Sequence, residues 1–368
     1  MSDLFTGAGG ATVFRNESVL SPEYLPDQFP HRENQIQEVA NCIKPALSGG
    51  KPYNCFIFGP PGVGKTAVVN FVFKELSEFE RVTPIYVNCW EYNTRHAVLS
   101  KLLNEMGGIA PRRGVATDEV FDRFLRQLRQ TTPIIALDEV DQLIRRDGSQ
   151  LLYDLVRARE QQKNSNLSVI AISNDLFIMR NIDARVKSSL GQEEISFKPY
   201  SERELEDIIK ERLDIAFRKG FYEPAIISLT AKEAAMRGGD VRFALECLWK
   251  AGREADKDGS KVKASHMKTV FGKTGDLHVE EMIRSLSGHE RLILRTIAKY
   301  PDAISGEIFT KYSLLTKEPV ADRTFRNYIS RLETLNLIET RPTGEGMKGQ
   351  SRIISLKISP ETVIRSSK

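Results

Sequence analysis

The fold class this sequence predicts is α/β: a parallel sheet, then an all-helical segment, then a C-terminal winged helix-turn-helix. Three observations predict it. Apolar strand-like runs alternate with helical patterns through the first two hundred residues, the pattern of βαβ units. One such run, Cys55–Phe58, leads into Gly59-Pro60-Pro61-Gly62-Val63-Gly64-Lys65-Thr66 and then a helical pattern, the strand, glycine loop and helix start of a phosphate-binding loop. Past Ser287, three helical patterns and two short β-runs follow one another, as in a winged helix.

In chain order, Gly7-Ala8-Gly9-Gly10 and the lack of periodicity make residues 1–18 read as a loose arm. Prolines in Leu20-Ser21-Pro22-Glu23-Tyr24-Leu25-Pro26 and Pro30-His31-Arg32-Glu33 keep the next stretch extended. A helix follows with Ile36, Val39, Ala40 and Ile43 on one face. Strands are expected at Cys55–Phe58, Ile85–Asn88, Ile134–Leu137, Leu167–Ile172 and Glu194–Phe197, and helices at Lys65–Ser77, Thr94–Met106, Asp118–Arg129, Gln150–Gln161 and Ala184–Leu190. Most of these strands lack alternation, so both faces are buried and the sheet is parallel and helix-covered. Ligands then sit at the C-terminal strand ends.

Ser201-Glu202-Arg203-Glu204 is a capping box that opens a helix to about Lys219. Helices Glu223–Arg237, Asp240–Asp256 and, after Lys257-Asp258-Gly259-Ser260, Ala264–Ser285 complete an all-helical domain. Helices Gly288–Lys299, Ser305–Leu314 and Val320–Leu335 precede β-runs Ile338–Arg341 and Ile353–Ile358, joined by a tip from Gly344 to Gly349. The expected organisation is an arm at 1–18 and domains at 19–199, 200–285 and 286–368.

A length of 368 residues with 40% hydrophobic and 28% charged residues fits a soluble protein of two or three domains. No run of about 18 apolar residues suggests a membrane span, and no basic start with an apolar core suggests a secretion signal. The four cysteines, Cys42, Cys55, Cys89 and Cys247, form no Cys-x-x-Cys pair. This argues against a zinc site or disulfide framework and for a reduced, cytoplasmic setting. The net charge is +4, but Leu286–Lys368 carries 14 Lys and Arg against 9 Asp and Glu, a surplus of five over a remainder at −1. That basic tail fits nucleic acid, or equally a solvated basic face.

The loop glycines let backbone N–H groups turn toward phosphate, and the helix starting near Lys65 aims its positive end at the same anion. Lys65 supplies charge to the β- and γ-phosphates, and the Thr66 hydroxyl can ligate Mg²⁺. About 70 residues downstream, Ile134-Ile135-Ala136-Leu137-Asp138-Glu139 delivers two acids to the sheet edge. Asp138 is suited to Mg²⁺, directly or through water. Glu139 is suited to orient or deprotonate an attacking water. Ser173-Asn174 closes the next strand; its amide fits a water, the γ-phosphate, or merely a polar turn. Arg185, Arg212 and Arg242 are candidate phosphate-sensing charges, although each is also an ordinary surface residue type.

In the C-terminal domain, Val320, Phe325, Ile329, Leu332 and Leu335 make an apolar stripe, and Arg323, Arg326, Asn327 and Ser330 lie opposite. Arg and Asn suit base edges and phosphates. Lys348, Gln350 and Arg352 stand at or beside the hairpin tip, where a wing meets the DNA backbone or minor groove. A winged module used for protein contacts is the competing reading.

Together with Arg185-Val186-Lys187-Ser188-Ser189-Leu190, Gly239-Asp240-Val241-Arg242-Phe243-Ala244-Leu245 and Tyr24…Pro30-His31-Arg32-Glu33, these residues make a pattern. The chain resembles archaeal replication initiators of the origin recognition complex and cell division control type, from about Leu20 to Ile358. The resemblance implies an AAA+ parallel-sheet nucleotide-binding domain, a helical lid and a winged-helix DNA-binding domain. It implies ATP or ADP with Mg²⁺, gripped by Val63, Gly64, Lys65, Thr66 and Ala67, with Thr66 and Asp138 at the metal. Asp138 and Glu139 would be the Walker B pair, Asn174 sensor 1, Arg242 sensor 2, and Arg185 a finger inserted into a neighbouring subunit. Tyr200 and Arg212 match positions that close over the nucleotide. An initiator-specific insertion at about 107–118, with Arg112 and Arg113, would touch DNA.

The implied function is a weak ATPase acting as a switch on double-stranded origin DNA, associated with the nucleoid. Its implied partners are the replicative minichromosome maintenance helicase and paralogous initiator subunits. The alternatives are a regulatory signal-type ATPase whose winged helix contacts proteins, and an oligomeric protein-remodelling ATPase. Neither gives a reason for a basic insertion and a basic wing.

Overall fold

A computed structural model describes residues 12–109, 115–129, 131–161, 166–175, 178, 182–335, 337–342 and 352–366. The chain divides into a unit spanning Leu25–Pro199 and a second that joins the stretch up to Tyr24 to everything from Tyr200 onward.

The first unit opens with α1 (Glu33–Leu47), β1 (Cys55–Phe58), α2 (Lys65–Leu76), β2 (Val82–Asn88), α3 (Arg95–Glu105) and α4 (Thr117–Gln127). It continues with β3 (Thr132–Asp138), α5 (Val140–Asp147), α6 (Gln150–Gln161), β4 (Ser168–Ser173), α7 (Ala184–Leu190) and β5 (Glu193–Ser196). The strands form a sheet in the order β2-β3-β4-β1-β5, and every pairing is parallel. All of β4 is buried, and so is β3 beyond Thr132, because helices cover both faces. One apolar cluster runs from Phe56 and Ile85 through Leu99, Phe124, Leu137 and Leu155 to Leu190.

Register places the chemistry. Phe58 pairs with Ser173, Leu137 with Ala171, and Asn88 with Asp138. The C-terminal ends of β1, β3 and β4 therefore share one edge, with β4 between the other two. The glycine loop, Asp138 and Asn174 must meet there.

α5 was not anticipated. Its apolar residues are few because only Val140 and Leu143 are buried hydrophobics, while Arg145, Arg146 and Asp147 face outward. Arg95 ties the region together: its backbone N–H donates to Asp147 (2.5 Å), and its guanidinium reaches Asp154 (2.5 Å) and Asp118 (2.8 Å).

The second unit corrects the expected loose arm. Residues 1–11 lie outside the described residues, but 12–18 are built into the fold. Val13 and Phe14 are buried, Val13 N–H donates to Asp256 (2.6 Å) and Arg15 N–H to the Ala216 carbonyl (2.8 Å). Phe14 stacks near Phe217 with ring centres 4.9 Å apart. A side chain on Gly252 would overlap the Phe14 ring, with a contact of 2.2 Å, so a glycine in the middle of a helix makes the slot. The stretch through Tyr24 accordingly belongs with this unit, not with the sheet. A short, irregular segment stitched by backbone bonds carries no periodic signal to read.

Helices α8 (Glu202–Ala216), α9 (Ala225–Met236), α10 (Val241–Lys257) and α11 (Ala264–Ser285) follow. The capping box of Ser201 and Glu204 is present, and the Asp240 carboxylate caps α10 through the N–H groups of Arg242 and Phe243.

Then come α12 (Gly288–Lys299), β6 (Ala303–Ile304), α13 (Ser305–Leu315), α14 (Asp322–Thr334), β7 (Ile338–Pro342), β8 (Arg352–Leu356) and α15 (Pro360–Ser366). The antiparallel sheet β6-β8-β7 and helices α12–α14 enclose a core of Ile293, Ile308, Tyr312, Phe325, Leu332 and Ile354. Neither β6 nor α15 was anticipated; two residues and seven are too short for a period. Glu290 is wholly buried and accepts from Arg331 at 2.7 Å. Stripping one partner from a buried pair costs about 3–5 kcal/mol, so this pair pins α14 to α12.

Candidate nucleotide site and nucleic-acid interface

The loop after β1 turns on glycine. Gly62 and Gly64 have φ of 74° and 92°, in the left-handed region. Gly59 has no room for a side chain: a Cβ would lie 2.2 Å from the Phe197 carbonyl oxygen. Gly64 caps α2, so Lys65 and Thr66 start the helix and Ala67 follows in its first turn. Val63 is buried beneath.

Lys65 is 7% exposed. Its ammonium donates to the Gly59 carbonyl (2.9 Å), the Pro60 carbonyl (2.7 Å) and Asn174 Oδ1 (2.7 Å). Thr66 Oγ1 donates to Asp138 Oδ2 at 2.5 Å. Glu139 N–H donates to the other Asp138 oxygen at 2.8 Å. Glu139 itself sits at φ 53°, a conformation that costs a side chain of this kind about 1–2 kcal/mol and gathers at working sites. The structure thus brings Lys65, Thr66, Asp138, Glu139 and Asn174 to one sheet edge. A hydroxyl and a carboxylate 2.5 Å apart are the hard-oxygen donors that Mg²⁺ takes alongside substrate phosphates, so the residues fit that ion.

Three supports at this edge were not legible in the sequence. Tyr86 Oη donates to Asp138 Oδ2 at 2.8 Å. Burial, then the Asp138 charge, pushes the phenol far above its ordinary range, so it stays a donor. Cys89 N–H donates to the Asp138 carbonyl at 2.9 Å, and burial raises its thiol too. The Asp141 carboxylate, 3% exposed, accepts from Ser173 Oγ at 3.0 Å and ties α5 to β4. Tyr86 pairs with Ala136, two residues before Asp138 on the same face; only the β2–β3 register would have revealed it.

The arginines are placed differently. Arg185 projects from the first turn of α7 with 72% of its side chain exposed. Asp183 holds it at 3.0 Å, and it lies over the Tyr153 ring at 5.0 Å. Tyr200, Arg212 and Arg242 belong to the other unit. There Arg212 stacks over Tyr24 at 4.8 Å, its NH1 buried with no hydrogen-bond partner. Burial lowers its pKa against the opposing pull of Glu211, Tyr24 and Tyr200. The Arg242 side chain is 54% exposed.

In the winged region, Arg323, Arg326 and Asn327 are all exposed on α14, while Phe325, Ile329 and Leu332 are buried. Arg326 meets Asp322 at 2.7 Å with 74% of its side chain exposed. Arg352 opens β8 opposite Pro342, and the neighbouring Arg341, which sequence reading passed over, is exposed beside it. Arg112, Arg113 and Lys348 lie outside the described residues.

The family models for an AAA ATPase domain, a Cdc6 AAA+ ATPase-type lid domain and the CDC6 C-terminal winged helix domain match residues 28–170, 206–271 and 281–366. ORC1-type DNA replication protein 1 of Sulfurisphaera tokodaii is 35% identical over 380 residues, covering 100% of this chain and 96% of the relative. The chain belongs to the ORC1-type DNA replication proteins. The Archaeoglobus fulgidus member is 34% identical over 97% of this chain and 91% of its own. The solved Aeropyrum pernix ORC1 protein, in complex with DNA, superposes with a TM-score of 0.70 at 34% identity, covering 97% of both chains. The α/β sheet, lid and winged helix are thus those of an ORC1-type AAA+ protein. Among the described residues, no helix is long and apolar enough to cross a membrane.

Proposed function

We propose that this chain is a replication initiator that binds double-stranded origin DNA and is switched by ATP and ADP. The observation that supports it most is the meeting of Lys65 with Asn174 and of Thr66 with Asp138 at one sheet edge, in a chain of a replication family.

Backbone N–H groups of the loop and the start of α2 bind the phosphates, and the Lys65 ammonium reaches the β- and γ-oxygens. Asn174 stands where it can hold the γ-phosphate or the water beyond it. Thr66 and Asp138 are the residues that would hold Mg²⁺, which when bound would supply positive charge to the phosphate oxygens. Tyr86 and the Glu139 N–H keep the Asp138 carboxylate turned toward Thr66. Glu139, fixed by its own backbone at the N-terminus of α5, accepts the water's proton. Arg185, exposed and steadied by Asp183, is suited to enter a neighbouring subunit. Tyr200 and Arg212 match family positions that close over the nucleotide, and Arg242 matches the lid sensor. Slow turnover suits a switch.

The DNA contacts are α14, through Arg323, Arg326 and Asn327, the hairpin end at Arg352 with Lys348, and the insertion with Arg112 and Arg113. Each contact is weak alone and gains by linkage. The helicase and paralogous subunits are the further partners of this reading.

Mapping the protein on the chromosome by immunoprecipitation tests it. Enrichment at one or a few loci that coincide with replication start sites is expected. An even spread, or enrichment unrelated to those sites, would favour protein contacts for the winged helix and overturn the reading.

A further inference from the structure

The segment Pro30-His31-Arg32-Glu33 takes no part in the chemistry above, yet it contains a buried charge. Arg32 is 4% exposed, at the N-cap of α1. Its guanidinium is spread over three backbone carbonyls. Nε donates to Val63 (3.0 Å), NH1 to His31 (2.9 Å) and NH2 to Lys198 (2.8 Å). The Phe197 ring lies 5.5 Å from its central carbon. His31 adopts φ 65°, which a non-glycine residue does only at a cost, and this places its carbonyl within the fork's reach. Burying a cation is expensive in itself. An apolar side chain would fill the same space more cheaply, so the arrangement needs a reason in what it holds.

What it holds is the phosphate loop. The Val63 carbonyl and the Gly64 N–H belong to one peptide, which is planar and trans. The N–H therefore points opposite to the carbonyl. Gripping the Val63 oxygen aims the Gly64 N–H away from Arg32, at the residue just before Lys65 and Thr66. A lone glycine at φ 92° has no side chain to fix that plane. The same fork holds Lys198, at the point where the chain leaves the sheet unit. Phe197 beside it crowds Gly59 and donates its N–H to the Phe58 carbonyl at 2.8 Å. Both ends of the phosphate loop and the exit segment are thus fastened around one side chain.

We propose that Arg32 is a positioning residue of the nucleotide site: it presets the Gly64 amide toward phosphate and couples that loop to the exit segment at Lys198. This rests on the reading that the loop binds nucleotide. Lysine cannot substitute, because a single ammonium lacks the planar fork needed for three divergent acceptors.

The test uses the full chain with Arg32→Lys, and Arg32→Ala as the harsher variant, titrated with ADP and separately with adenosine by calorimetry. Adenosine lacks phosphate, so the ratio of the two affinities reports the loop alone, and overall loss of structure does not move it selectively. Arg32→Lys is expected to weaken ADP at least 30-fold while adenosine changes less than threefold, at a urea midpoint close to the parent's. ADP affinity equal to the parent's, or ADP and adenosine weakened alike, would overturn the proposal even if Arg32→Ala fails to fold. A parent chain that takes up no ADP would instead overturn the nucleotide reading, and this proposal with it.

Discussion

Glu139→Gln should bind ATP like the parent chain and hydrolyse it at least a hundredfold more slowly in a single turnover. The change keeps size and shape and removes only the capacity to take a proton. A positioned general base contributes about 10²–10⁴-fold. Glu139 is placed by its backbone: it lies in the left-handed region at the N-cap of α5, and its N–H is tied to Asp138. The substitution leaves those features and the Thr66–Asp138 contact in place, so affinity holds while chemistry fails. The variant should therefore accumulate in the ATP-bound form. Hydrolysis at the parent rate would mean that another group orients the water.

Replacing Arg323 and Arg326 together by alanine should weaken duplex binding roughly 10- to 100-fold near 0.1 M salt. The slope of log affinity against log salt should flatten by about two, since each lost phosphate contact removes about 0.9. The Arg326–Asp322 pair does not prevent Arg326 from serving DNA. An exposed ion pair is worth at most about 1 kcal/mol, and the Arg326 side chain is 74% exposed. The apolar side of α14 is untouched, so folding and ADP affinity should remain unchanged. Fluorescence anisotropy across a salt series reads the effect; an unchanged slope would remove α14 from the DNA interface.

Much of this molecule was legible in the sequence because two signals are local. Burial on both faces makes strands such as Ile134–Leu137 unbroken apolar runs, and capping boxes such as Ser201–Glu204 mark helix starts with a mechanism. The glycine loop reads directly for the same reason: φ values of 74° and 92° favour glycine, and a side chain at Gly59 would overlap the Phe197 carbonyl. What was illegible depends on contacts far apart in the chain. Tyr86 reaches Asp138 through strand register, Arg32 reaches Val63 and Lys198 across 31 and 166 residues, and Val13 and Phe14 are buried by helices more than two hundred residues later. Short elements such as α5, β6 and α15 offer too few positions for a period. The roles of Tyr200, Arg212 and Arg242 rest on family pattern, since they fold with the helical unit rather than the sheet.

The claim on which the account rests is that the nucleotide at the sheet edge governs the grip on DNA. The direct measurement is duplex affinity at low ionic strength, taken with a non-hydrolysable ATP analogue and again with ADP. Tight, salt-sensitive binding that differs at least tenfold between the two nucleotides is the expected result. Equal affinity in both states, or no binding to duplex in either, would contradict it.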